Sequence, residues 1–131
     1  MKENFISMPI ILKCITIHAV ACFMFLVGSV VPHDNFSING QSITYSEWWF
    51  SGAGFSAFIM GLFMPFAAWH ILNKTKYSRH IYISMLFSSL SVPYLFYDQP
   101  NAVIYNLIIT GIICWYLFGN KSAAAYFVSR T

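Results

Sequence analysis

The chain has 131 residues, of which 58% are apolar, 19% aromatic and only 8% charged, with a formal net charge of +3. So few charges do not cover a soluble globule. At about 20 residues per membrane crossing, little of the chain is left for a separate folded domain, so nucleic-acid binding is excluded and the positive surplus reads as attraction to anionic lipid headgroups.

The first apolar run covers residues 9–31, with Lys2 and Lys13 at its start. Ala19-Val20-Ala21-Cys22 inside it has the look of a lipoprotein cleavage signal. Apolar sequence continues past Cys22 to Val31, however, which reads as a span. Cys14, His18 and Cys22 repeat every four residues and share a face of this helix. Three ligands spread over two turns do not close on one tetrahedral ion, so no metal is expected. The spacing instead places a neutral His18 in the bundle core. Cys14, Cys22 and Cys114 all fall inside spans, which leaves no disulfide framework.

Residues 32–47 form a polar link in which Phe36, Ile38, Ile43 and Tyr45 flank Asn39-Gly40. That pattern predicts a small β-hairpin or ordered loop. Thr44 stands three residues before Glu47, the spacing of a capping box at a helix start. The second run, 48–72, carries Ala53, Ala57 and Gly61 at four-residue intervals. Such a stripe of small residues lets helix backbones approach closely. Pro65 in the same run is expected to bend it.

A short link with Lys74, Lys76 and Arg79 precedes the third run, 81–97. His70 and His80 bracket that link, but their interfacial placement suits headgroup contact better than haem ligation. The third run holds Ser84, Ser88, Ser89 and Ser91 just before Pro93. After the turn Asp98-Gln99-Pro100-Asn101, the fourth run, 102–118, places Asn106, Thr110 and Cys114 on one face. The two polar stripes are expected to face each other, as helix glue or as a wet path. The tail, 119–131, reads as a continuation of the fourth span or a short interfacial helix, with Ala123, Ala124, Tyr126 and Phe127 between Lys121 and Arg130.

All seven Lys and Arg residues lie at the two chain ends or in the 73–80 link, whereas Asp34, Glu47 and Asp98 occupy the other two links. By the positive-inside rule this predicts four spans with both termini cytoplasmic, in a bacterial inner membrane. Aromatic belts are expected at Trp48, Trp49, Tyr94, Tyr97 and Tyr105 on the outer side, and at Trp69, Tyr77, Tyr82, Trp115 and Tyr116 on the inner side. Short links make successive helices antiparallel neighbours, so the expected fold is an all-α, single-domain, up-down-up-down four-helix bundle.

No Asp or Glu lies in a span, and the chain has no Cys-x-x-Cys, His-Glu-x-x-His or phosphate-binding glycine loop. The expectation is therefore a non-enzymatic membrane protein without a cofactor, working by helix association. A homo-oligomer is favoured, with the polar stripe lining a cation-permeable pore under rings of Asp34, Glu47 and Asp98, or one that perturbs the bilayer. The alternative is a protein that binds another membrane protein, as an immunity factor against a pore-forming toxin or an accessory subunit.

Overall fold

The computed structural model describes residues 1–33, 35–38, 40–96 and 100–128. The fold is mostly helical: α1 (Lys2–Ile6), α2 (Ile10–Ala21), α3 (Phe23–Val30), α4 (Tyr45–Phe50), α5 (Ala53–Leu72), α6 (Ser78–Phe96), α7 (Pro100–Gly119) and α8 (Lys121–Val128). Between α3 and α4, β1 (Ser37–Ile38) and β2 (Gln41–Ser42) pair antiparallel, Ser37 with Ser42 and Ile38 with Gln41. Two helical stretches among the described residues, Ile10–Val30 and Ala53–Leu72, are each long and apolar enough to cross a membrane. Val103–Gly119 together with Lys121–Val128 makes a third if that pair, bent by 61°, counts as one span. α6 has the length, but its serines make it the least apolar of the long helices.

α2 and α3 are nearly continuous. The junction is a single tightened turn, where Cys22 N donates to His18 O at 3.0 Å and Phe25 N donates to Cys22 O at 2.9 Å. The second span is shorter than expected, starting at Ala53 rather than at Trp48. Gly52 adopts φ +79°, a left-handed conformation that ends α4 and separates it from α5. Trp48 and Trp49 therefore belong to a short helix lying before the span. Pro65 and Pro93 are both accommodated inside unbroken helices. The tail is a distinct helix. Asn120 caps it, its side-chain oxygen accepting from Ser122 N at 2.9 Å and Ala123 N at 3.2 Å.

α5 is central. α2, α3 and α6 pack against it, α7 packs against α6, and α8 against α7. The largest buried cluster draws Leu12 from α2, Met64, Ala68 and Ile71 from α5, Tyr82 and Leu86 from α6, Leu117 from α7 and Tyr126 from α8. It lies toward the end of the molecule that carries α1, α8 and the turn at residues 73–77, called here the basic end. Tyr82 and Tyr116, expected in an interfacial belt, are instead buried in this cluster. Trp69, Tyr77 and Trp115 are exposed as a belt requires.

At α3 and α5 the backbones nearly touch. A Cβ added at Gly61 would lie 2.7 Å from Leu26 Cβ and 2.8 Å from Leu26 Cα. Gly61 thus serves contact within the chain, the close approach that small residues permit.

Candidate functional site

The polar residues of α6 and α7 differ in burial. Tyr82, Leu86 and Ser89 share the buried face of α6, while Ser84 is exposed, Ser88 half-buried and Ser91 buried. α6 is wedged between α5 and α7, so Ser84 falls on the ridge left uncovered by either neighbour. On α7, Thr110 is buried, and Asn106 and Cys114 are half-buried. Asn106 Nδ2 donates to Leu90 O, tying α7 to the backbone of α6 and not to a serine. Elsewhere, buried hydroxyls return to their own helix: Thr16 donates to Leu12 O (2.8 Å), Ser29 to Leu26 O (3.0 Å) and Ser89 to Met85 O (2.7 Å). Ser91 Oγ and Thr110 Oγ1 are buried with no hydrogen-bond partner among the described residues.

His18 departs from expectation. It lies on the exposed face of α2 with Cys14, its Nδ1 3.9 Å from the buried Cys22 Sγ. The buried position one residue on is filled by Ala19, on the side of α2 that also buries Leu12 and Thr16. No group of three His, Cys, Asp or Glu side chains among the described residues is placed to hold a metal ion.

At the opposite end from α8, the hairpin rests on an aromatic chain. Gly40 has φ +80° and closes the turn, and Ile43 N donates to Phe36 O at 2.9 Å. The buried Phe36 stacks on His33 (3.9 Å between centroids) and on Trp48 (5.0 Å), and Tyr45 meets both Phe36 and Trp49. The capping box is formed. Glu47 N donates to Thr44 Oγ1 at 3.3 Å, and Thr44 N donates to Glu47 Oε2 at 2.8 Å. Bonds from the Thr44 backbone, then from its hydroxyl, hold the Glu47 carboxyl below the usual glutamate range. Pro32, His33, Ser42, Ile43, Tyr45 and Glu47 line a cleft of about 490 Å³ here. Of the three acids expected to ring this end, Asp34 and Asp98 lie outside the described residues, as do Asn39, Tyr97, Gln99 and Arg130. Of the small-residue stripe, Ala53 and Ala57 are half-buried, and Ala57 borders a second cleft with Gly28, Ser29 and Trp48.

The basic end brings side-chain donors to carbonyls in the last turns of its helices, of which Ile71 O also accepts from Lys74 N at 3.0 Å. Asn4 Nδ2 donates to Leu72 O (2.8 Å) and Tyr126 OH to Ile71 O (3.4 Å), both at the end of α5. Arg79 donates to Leu117 O (3.3 Å) at the end of α7. Tyr45 does the same for Val30 O of α3 at the hairpin end (3.1 Å). Asn4 carried no signal in the sequence, since its partner is 68 residues away.

No protein-family model, curated protein or solved structure matches the chain.

Proposed function

We propose that the chain is a four-span inner-membrane protein with both termini cytoplasmic, in which α2–α3, α5, α6 and α7 run up-down-up-down and which acts by helix association rather than catalysis. Its favoured form is a homo-oligomer with α6 toward the symmetry axis, giving a cation-permeable path. One observation carries this reading. The least apolar long helix turns a serine ridge outward, with Ser84 exposed and Ser88 half-exposed one turn away. A ridge of hydroxyls gains nothing from acyl chains, whereas around an axis it lines a wet path or bonds to a second copy. Asp34, Glu47 and Asp98 would then gather cations at the mouth.

The test is thiol scanning on a Cys-free background. Ser84→Cys should crosslink between copies in the membrane, and hydrophilic thiol reagents should reduce cation current through the reconstituted variant. The same substitution at Ile108, exposed on α7, should do neither. Reconstituted protein that carries no current and migrates as a monomer would end the pore reading. Orientation is tested separately: cysteines at positions 35 and 101 should react from outside intact cells, and one at position 75 should not.

The second reading, docking to a different membrane protein, draws on the hairpin-end cleft and its aromatic wall. It predicts one heterologous partner per chain, captured through Tyr45 and lost in Tyr45→Ala.

A further inference from the structure

We propose that the cleft between the 73–77 turn, the start of α6 and the end of α8 binds the phosphodiester of an anionic phospholipid. Lys74, Thr75, Lys76, Ser78, Arg79, Phe127 and Val128 line it, around a volume of about 170 Å³. That is below the roughly 300–1,000 Å³ of pockets for drug-sized ligands, and it suits a single headgroup. The described lining thus comprises three cations, two hydroxyls and two apolar side chains.

Two of the cations, Arg79 and Lys74, are held in place rather than trailing in solvent. Arg79 commits one of its five N–H donors to Leu117 O, and its guanidinium stands 4.9 Å from the Phe118 ring centre and 5.3 Å from that of Phe127. A planar guanidinium fixed in this way presents its remaining donors in the geometry that phosphate oxygens accept. Lys74 Nζ lies 4.5 Å from the Tyr126 ring centre. Its backbone is left-handed, φ +48°, at the position after α5 where glycine is the favoured residue. A lysine stands there at some cost in backbone energy. Thr75 is set in the same turn by Thr75 N→His70 O (3.2 Å), and its hydroxyl is 3.0 Å from His70 Nδ1.

The surroundings decide between lipid and free phosphate. The cleft sits where α5 ends at Leu72 and α6 begins at Ser78, at the boundary of a span, beside the exposed Tyr77. Its lip is Phe127 and the exposed Val128, an apolar edge suited to the start of an acyl chain. An anionic lipid satisfies the cations and the lip together. Inorganic phosphate satisfies only the cations. The assignment is independent of whether the protein forms a pore.

The experiment measures binding of fluorescent phosphatidylglycerol and phosphatidylcholine to the full chain in neutral detergent, with inorganic phosphate as competitor. Phosphatidylglycerol should bind at least tenfold more tightly, each removed cation should cost about fivefold, and millimolar inorganic phosphate should not displace it. Lys76→Gln tests an exposed cation that caps no helix. Lys74→Gly is the sharper variant, because it relieves the left-handed lysine and so should raise thermal stability while lowering phosphatidylglycerol affinity. Equal affinity for the two lipids, or unchanged affinity in both variants, overturns the site. Displacement by inorganic phosphate overturns the lipid assignment.

Discussion

The two ends of the molecule are packed by different means. Toward the basic end, large apolar side chains are buried in numbers: Leu12, Met64, Ile71, Tyr82, Leu86, Leu117 and Tyr126 pack in one cluster with the small Ala67, Ala68 and Ala123, as they would in a soluble core. Toward the hairpin end, the buried helix positions are small or hydroxylated: Ser29, Gly54, Gly61, Ser89, Ser91 and Thr110. There the helices meet by close backbone approach, and their large side chains, such as Phe25, Phe55, Ile108 and Ile112, turn outward. Within a bilayer, an outward apolar side chain loses little, because lipid is as apolar as a core. The difference teaches that association in this fold depends on shape at one end and on volume at the other.

The strongest way to break that contrast is to insert volume where shape rules. Gly61→Leu should cost about 3 kcal/mol or more, since even its Cβ conflicts with the Leu26 backbone. Gly28→Ala, on the facing helix with open space around it, should change stability by well under about 1 kcal/mol. Unfolding in mixed detergent checks both, and equal tolerance would refute the close-approach account. Removing volume should hurt at the other end. Leu117→Ala, at a fully buried position, should cost about 2 kcal/mol or more, whereas Leu62→Ala, half-exposed on α5, should be nearly silent.

Caps come next and sharpen the comparison, because each end has one. Asn120→Ala and Thr44→Ala should each cost about 1 kcal/mol. Hydrogen exchange should place the loss in α8 for the first and in α4 for the second. The smallest effect is the pH dependence of the Thr44–Glu47 box. Glu47 titrates below the ordinary glutamate value of about 4.3, so the box contributes fully above that value and its contribution is lost as pH falls through the lowered one. Exchange at α4 should therefore quicken on acidification, and Glu47→Gln should abolish that response.

What could be read from sequence was local. The Asn39-Gly40 turn signal, the Thr44–Glu47 spacing and the apolar stretches of the first two spans depend on neighbours within a few residues, and the described residues of the hairpin, the cap and those two spans follow them. The start of the second span was misplaced because hydropathy does not register a single left-handed glycine at position 52. His18 was misassigned because a four-residue repeat defines a face without saying which way it points. Here Leu12, Thr16 and Ala19 take the inward side. Ser84 leaves the expected stripe for a related reason, since a helix with neighbours on two sides has two buried faces and one open ridge. The caps supplied by Asn4, Arg79 and Tyr126 join residues 38 to 68 positions apart and have no local signature.

Those distant caps also govern the order in which the fold is completed. Two successive carbonyls, Leu72 O and Ile71 O, accept side-chain bonds from Asn4 and Tyr126, one from a segment made long before α5 and one from a segment made long after it. During synthesis, α5 is made while α8 does not yet exist, so the Ile71 carbonyl keeps only its local bond from Lys74 N (3.0 Å) until Tyr126 arrives. Contacts of such sequence separation form late, since loop closure precedes any gain from them. The docking of α8 therefore behaves as a latch, and folding kinetics followed at Tyr126 should lag those followed at the α3–α5 crossing.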